Sequence, residues 1–151
     1  MSRRHEIQLT PQELTEFLAR PHKAALATVD KDGFPHVVAM DYRYKDGIIY
    51  MTSYGKAQKV LNARRNPKVG VMIEVGKTYG EYQGVLIRGR CEVIEDPQVV
   101  RETMGIVGRS ETARTAAIPS GAASSVPKRV VLKITPQKVA SWDHSKLGGR
   151  Y

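Results

Sequence analysis

The tripeptide Lys-Asp-Gly occurs twice in this chain, at 31–33 and again at 45–47. Each copy separates runs that read as strands, with glycine free to take positive φ in a tight turn. Ala24 to Asp30 is a short apolar strand of small residues. Phe34 to Tyr44 alternates Val38, Met40, Tyr42 and Tyr44 against Val37, Ala39, Asp41 and Arg43, so one face is apolar and the other turns polar. Ile48 to Ser53 is the third strand. Two identical turns between three strands predict an antiparallel meander.

The rest of the chain extends this pattern. Thr10-Pro11-Gln12-Glu13 is a helix start with a capping threonine, proline at the first position and a glutamate that reaches back. Leu14, Phe17 and Leu18 give that helix an apolar stripe, and Pro21 ends it, so 1–22 is the N-terminal helix region. Lys56 to Arg65 reads as a helix with Ala57, Val60 and Leu61 inward, broken at Asn66-Pro67. Strands follow at 68–75 and 82–94, the second containing Gly84 and Gly89 as candidate bends or bulges. Gly76 to Gly80 reads as a hairpin turn. Asp96-Pro97 opens another helix through about Val107. Residues 108–126 are small and polar, either a mobile loop or lid or a helix pair with a weak middle. Strands at 128–134 and 138–142 precede a polar tail, 143–151, expected to be flexible.

These readings predict one domain over 1–151. Its fold class is mainly β, a small antiparallel β-barrel of six to seven strands with flanking helices. Hydrophobic residues at 41% and charged residues at 26% are globular proportions. No apolar run approaches the ~20 residues that cross a bilayer, and the polar start carries no secretion signal. Cys91 stands alone, as a packing residue in a strand. His5, His22, His36 and His144 have no metal-ligand spacing, so no metal is expected. Together these features predict a cytoplasmic protein.

A net charge of +9 predicts attraction to anions without naming one. The basic residues are scattered with local pairs, which suits phosphate-sized ligands. Lys56 and Lys59 lie where a helix begins, and exposed N–H groups with a positive dipole end favour an anion there. Solvated surface lysines are the plainer alternative. Arg88 and Arg90 share one strand face, and either reach a ligand tail or pair with acids across a dimer. A nucleic-acid barrel would interleave aromatics with arginines on one face, but Tyr42, Arg43 and Tyr44 alternate between faces, so nucleic acid is not expected.

The segments ALATVDKDGFPHVVAMDY, DGIIYMTSYGKAQKVLNARRNPKVGVMIE, VLIRGRCEVIED and KVASWD, in this order, resemble the pyridoxamine 5'-phosphate oxidase-like split-barrel superfamily. The resemblance is closest to its small members that use FMN or the deazaflavin coenzyme F-420. It implies a homodimer with cofactors in clefts between subunits. His36, Val37, Val38 and Ala39 would lie along the ring, and Thr52 and Ser53 would touch the ring or ribityl chain. Lys59, seven residues before Asn66, or Lys56 would hold the phosphate. Gln83 would approach the ring edge, and Trp142 would come from the second subunit. His36 and Asp41 stand where the vitamin-oxidising members carry arginine and lysine, which argues against pyridoxine-phosphate oxidation. Tyr54 and Tyr82 could line a substrate pocket or donate a proton; packing is their plainer role. The implied activity is hydride transfer between coenzyme F-420, or FMN, and an unsaturated, quinone-like or tetrapyrrole-like small molecule. The alternative is a non-enzymatic flavin- or haem-binding module. No catalytic side chain is assigned, since hydride transfer is the cofactor's own chemistry.

Overall fold

A computed structural model describes residues 3–106 and 126–149. The expected lid, 108–126, therefore lies almost wholly outside the described residues. Strands β1 (Ala24–Val29), β2 (Pro35–Met40), β3 (Arg43–Lys45), β4 (Ile48–Tyr54), β5 (Lys68–Val75), β6 (Gln83–Ile94) and β7 (Arg129–Asp143) form one antiparallel sheet. Helices α1 (Pro11–Ala19), α2 (Gln58–Arg65) and α3 (Pro97–Ile106) flank it.

The strand order is β2-β1-β5-β6-β7-β4-β3. Both Lys-Asp-Gly turns make hairpins, with Gly33 at φ 88° and Gly47 at φ 78°. The hairpins do not form the expected meander. They sit at opposite edges of the sheet, and the run 34–44 is two strands interrupted at Asp41-Tyr42. A turn fixes only its own pair of strands, so sheet order is left to long-range packing.

That interruption dictates the shape. Laid flat, seven strands would hold their edges roughly 29 Å apart, six gaps of about 4.8 Å. The chain from Met40 to Arg43 can span at most about 11 Å. The sheet must therefore curl until its edges nearly meet, as a split barrel. Register shift at Arg88/Gly89 marks a bulge where Gln137 is the extra residue. Gly89 is needed there, because a Cβ would stand 2.9 Å from both Ile134 and the Thr135 carbonyl. The expected strands at 128–134 and 138–142 are thus one bulged strand.

Inward positions recur every second residue: Leu26, Ile49, Met51, Val71, Ile73, Val85, Ile87, Leu132 and Ile134 are all buried. Helix α1 begins with the complete capping box and adds Phe17 and Leu18 to this core. Outside the barrel, α3 lays Val100 on Val131, with Tyr50 and Ile94 around them. The described part of the tail, 143–149, is anchored where flexibility was expected. Residues His144–Leu147 form a one-turn helix capped by Asp143, Leu147 is buried, and Lys146 Nζ donates to the Gln8 carbonyl at 2.8 Å and to Glu13 at 2.6 Å. Among the described residues no helix is long and apolar enough to cross a membrane.

Candidate functional site

Helix α2 starts two residues later than the sequence suggests. Lys56 lies in the turn before it, and Ala57 is the N-cap, closed by an Ala57 N–H to Tyr54 carbonyl bond at 3.0 Å. Alanine offers no side-chain acceptor, and the first turn contains no acid. The leading N–H groups therefore lack the cap that Ser, Thr, Asp or Asn would give, while Lys59 adds a positive charge at the positive end of the dipole. That arrangement is unfavourable alone and favourable beside an anion.

The inward face of α2 differs from expectation. Leu61 is 44% exposed, and Asn62 is buried in its place. Asn62 Nδ2 donates to Thr28 Oγ1 at 3.0 Å, and its Oδ1 accepts from Gln58 at 2.7 Å and Arg65 at 3.0 Å. This satisfied polar knot ties the helix to β1. Thr28 pairs with His36 across the hairpin, so the knot also links α2 to the β2 edge.

In front of α2 opens a cleft of about 780 Å³, lined by Tyr54, Gly55, Lys56, Arg64, Glu95 and residues 127–130. The Gly55 N–H donates to the Lys128 carbonyl at 2.9 Å, which joins the end of β4 to the start of β7. Arg129 packs its guanidinium 4.3 Å from the centre of the Tyr54 ring. Arg64 is paired with Glu95 at the rim. Lys56 and Lys128 make no ion pair among the described residues. Four cations thus face one acid in this cleft, and the acid is already engaged.

The other sequence candidates are distributed unevenly. Ser53 is buried, its hydroxyl donating to the Tyr54 carbonyl at 3.4 Å, while Thr52 is half-buried on the opposite side, across from Val131. Their side chains cannot both meet one ring; only the backbone there is shared. On β2, Val37 and Ala39 face outward and His36 and Val38 inward. His36 Nδ1 is buried and has no hydrogen-bond partner among the described residues. Lys59 is half-buried one turn above Lys56.

Gln83 and Trp142 lie elsewhere. From Val130 in the cleft to Trp142 is twelve residues of β7, roughly 40 Å at about 3.3 Å each. At that far end Trp142 Nε1 donates to Glu74 at 2.9 Å, and Gln83 Nε2 donates to Asp143 at 3.2 Å. The indole lies against Gly84, where a Cβ would stand 2.6 Å from the ring. His144 Nδ1 is 2.9 Å from the Tyr79 carbonyl, which can only accept, so this nitrogen carries the proton. Trp142, His144, Glu74, Arg4 and Leu86 share a second groove of about 590 Å³. One copy of the chain therefore does not unite the lysine end with the tryptophan end.

Lys128, Arg129 and Arg64 were not singled out by sequence reasoning. Lys128-Arg129 lies more than seventy residues after Lys56, and only the β4–β7 register brings the two together. Burial pushes the Cys91 thiol up to about 12, with Glu92 adding to the effect, and it raises the Tyr42 hydroxyl further. Both are structural groups, unsuited to proton exchange at neutral pH. No group of three His, Cys, Asp or Glu suited to a metal occurs among the described residues.

The family model for pyridoxamine 5'-phosphate oxidase matches residues 10–143. No curated protein matches the chain. Among solved structures, the conserved hypothetical protein Rv2991 from Mycobacterium tuberculosis is 32% identical with a TM-score of 0.83, over 100% of this chain and 95% of that one. A FAD-binding protein from Mesorhizobium loti is 25% identical with a TM-score of 0.66, over 89% and 94%. An F420 reductase is 24% identical with a TM-score of 0.64, over 82% and 93%, a likeness of fold. A curled seven-stranded sheet and a match spanning nearly its whole length agree: this chain belongs to the pyridoxamine 5'-phosphate oxidase family of split-barrel proteins.

Proposed function

We propose that this protein is an oxidoreductase that binds a phosphorylated flavin-type cofactor in the cleft before α2 and reduces an unsaturated, quinone-like or tetrapyrrole-like small molecule. The observation that carries the reading is the uncapped start of α2 just after Lys56, with Lys59 in its first turn, where Lys56 and Lys128 line one cleft. A phosphate there receives backbone N–H groups and ammonium groups together. The orphaned His36 Nδ1, on the strand tied to α2 through Thr28 and Asn62, offers the ring a polar partner. When bound, the cofactor supplies hydride transfer; the chain binds it, orients it and excludes water.

Coenzyme F-420 is favoured over FMN by charge. FMN presents one phosphate, whereas the deazaflavin coenzyme presents a phosphate and a polyglutamate tail, matching the surplus of cations in the cleft. The FAD-binding neighbour supports a flavin-type ligand for this fold.

The working unit is a homodimer in this reading. Trp142 and Gln83 reach a cofactor at Lys56 only if a second copy brings them, given the separation along β7. The outer sheet face offers the surface: Ala39, Ala25, Met72, Leu86 and Ala140 stand in register across five strands, with Met72 40% and Leu86 44% exposed.

The test is titration of the purified protein with coenzyme F-420 and with FMN, followed by absorbance and calorimetry, alongside its mass in solution. Binding of one coenzyme, lost by ~100-fold or more in the Lys56→Ala/Lys59→Ala double variant, is expected from two charge-assisted contacts. Equal affinity in the double variant, or a monomer that binds neither coenzyme, overturns the proposal. Binding without turnover of any quinone would move the reading to a flavin-storing module.

A further inference from the structure

The outer face of the sheet carries a second concentration of positive charge, away from the cleft. Lys68 pairs with Arg90 across β5 and β6, and Arg88 pairs with Lys138 across β6 and β7. Directly opposed residues share a face, and Arg88 and Arg90 are two apart on one strand, so all four project from the same side. All four are exposed. Cross-strand partners have Cβ atoms about 5 Å apart, and the two rows are about 7 Å apart along the strand. The four form a zigzag over three strands, each beside the next, with Lys68 and Lys138 at its ends roughly 12 Å apart.

Such a zigzag is unfavourable in isolation, because like charges set opposite each other in a sheet destabilise it. None of the four side chains makes a hydrogen bond or ion pair among the described residues. The nearest acid on the same strand, Glu92, stands opposite Lys133 and outside the zigzag. The adjoining bulge at Arg88/Gly89 shows that the backbone here departs from a plain ladder, as strands do where they aim side chains at a ligand. The apolar row of Ala25, Met72, Leu86 and Ala140 runs along one border, so the zigzag lies at the margin of the surface assigned above to the second copy.

The size of the zigzag restricts its occupant. A nucleic-acid strand needs a longer track, and bases need aromatic platforms. The two rows also hold Gly70 and Thr135 and no aromatic side chain. Arg88 and Arg90 stand about 7 Å apart at the centre, each with a lysine about 5 Å away on the neighbouring strand, and these long side chains can converge on a diphosphate or a closely spaced pair of phosphoryl oxyanions.

We propose that Lys68, Arg88, Arg90 and Lys138 form an anion-binding cradle for the phosphoryl or diphosphoryl group of a small molecule, separate from the cleft at α2. The probe is inorganic pyrophosphate, titrated calorimetrically into the full-length protein in its native oligomeric state, with parallel measurement of the melting temperature. The wild type is expected to bind pyrophosphate at two classes of site and to melt higher in its presence. Arg88→Ala/Arg90→Ala is expected to weaken one class about tenfold or more while leaving the other. Lys68→Ala/Lys138→Ala, which removes the two ends of the zigzag, is expected to do the same. Lys56→Ala/Lys59→Ala is expected to spare the cradle, so this outcome is independent of whether the cleft holds a flavin. Pyrophosphate isotherms identical in the wild type and both cradle variants overturn the proposal. So does a short single-stranded oligonucleotide that outcompetes pyrophosphate and loses affinity in the same variants.

Discussion

The two ends of β7 are built on opposite rules. At the Trp142 end, polar groups are matched to each other: Trp142 to Glu74, Gln83 to Asp143, His144 to the Tyr79 carbonyl, Lys146 to Glu13 and Gln8. At the Arg129 end, Lys56 and Lys128 face an open cleft, and α2 begins without a cap. Polar groups that meet one another on folding fix geometry. Polar groups that the fold leaves to solvent are free to meet a ligand, and they contribute little to stability. The contrast separates a holding end from a receiving end.

The contrast can be broken by substitution. The largest stability loss is expected at the holding end, in Gly84→Ala. Its new Cβ would meet the Ile73 carbonyl and the Trp142 ring, both at 2.6 Å, and backbone cannot yield as a flexible side chain does. A loss of about 3 kcal/mol in urea unfolding is expected, together with a shift in the emission of the lone tryptophan. A variant as stable as the parent would show that the indole has another resting place.

Asn62→Ala comes next. It strips partners from buried Thr28 and from Gln58 and Arg65, and about 2 kcal/mol should be lost. Because the knot positions α2, coenzyme affinity should fall as well, although Asn62 does not line the cleft. Stability lost with affinity intact would uncouple the helix from the receiving end.

Lys56→Ala/Lys128→Ala should change stability by no more than about 0.5 kcal/mol, since neither head is paired among the described residues. A clear loss would mean that these lysines hold the fold and not a ligand.

The smallest effect is a pH dependence. Burial holds the His22 imidazole below its ordinary value, although its bond to the Phe17 carbonyl opposes this. The unfolded chain therefore takes up the proton first. The stability from His22 is present above its ordinary value of about 6.5 and is lost as pH falls toward the depressed folded value. Unfolding followed from pH 7 to 5 should show a shallow decline that His22→Gln flattens.

Local chemistry was legible in the sequence. The capping box at Thr10–Glu13, both glycine turns, the alternation along 34–44 and the helix opened by Asp96-Pro97 are written within a few residues and are formed as read. Long-range order was not. Nothing near either Lys-Asp-Gly turn says that its hairpin goes to an opposite sheet edge. Nothing near Lys128-Arg129 says that β7 will begin beside Gly55. Leu61 and Asn62 exchanged places for a related reason. Hydropathy ranks leucine inward, but a helix moved two residues along the chain turned toward Thr28, where an amide finds partners and a leucine would not.

The two-residue joint at Asp41-Tyr42 works as a clasp on a rolled sheet of card. Most surface loops can be lengthened at modest cost, because closing a longer loop costs only slowly more entropy. This joint is different: its shortness obliges the two rims to stay close, so a spacer inserted there would let the cylinder relax and the mouth gape. The turn at 31–33, a few residues earlier, bears no such duty and should accept the same spacer without disturbing the curvature.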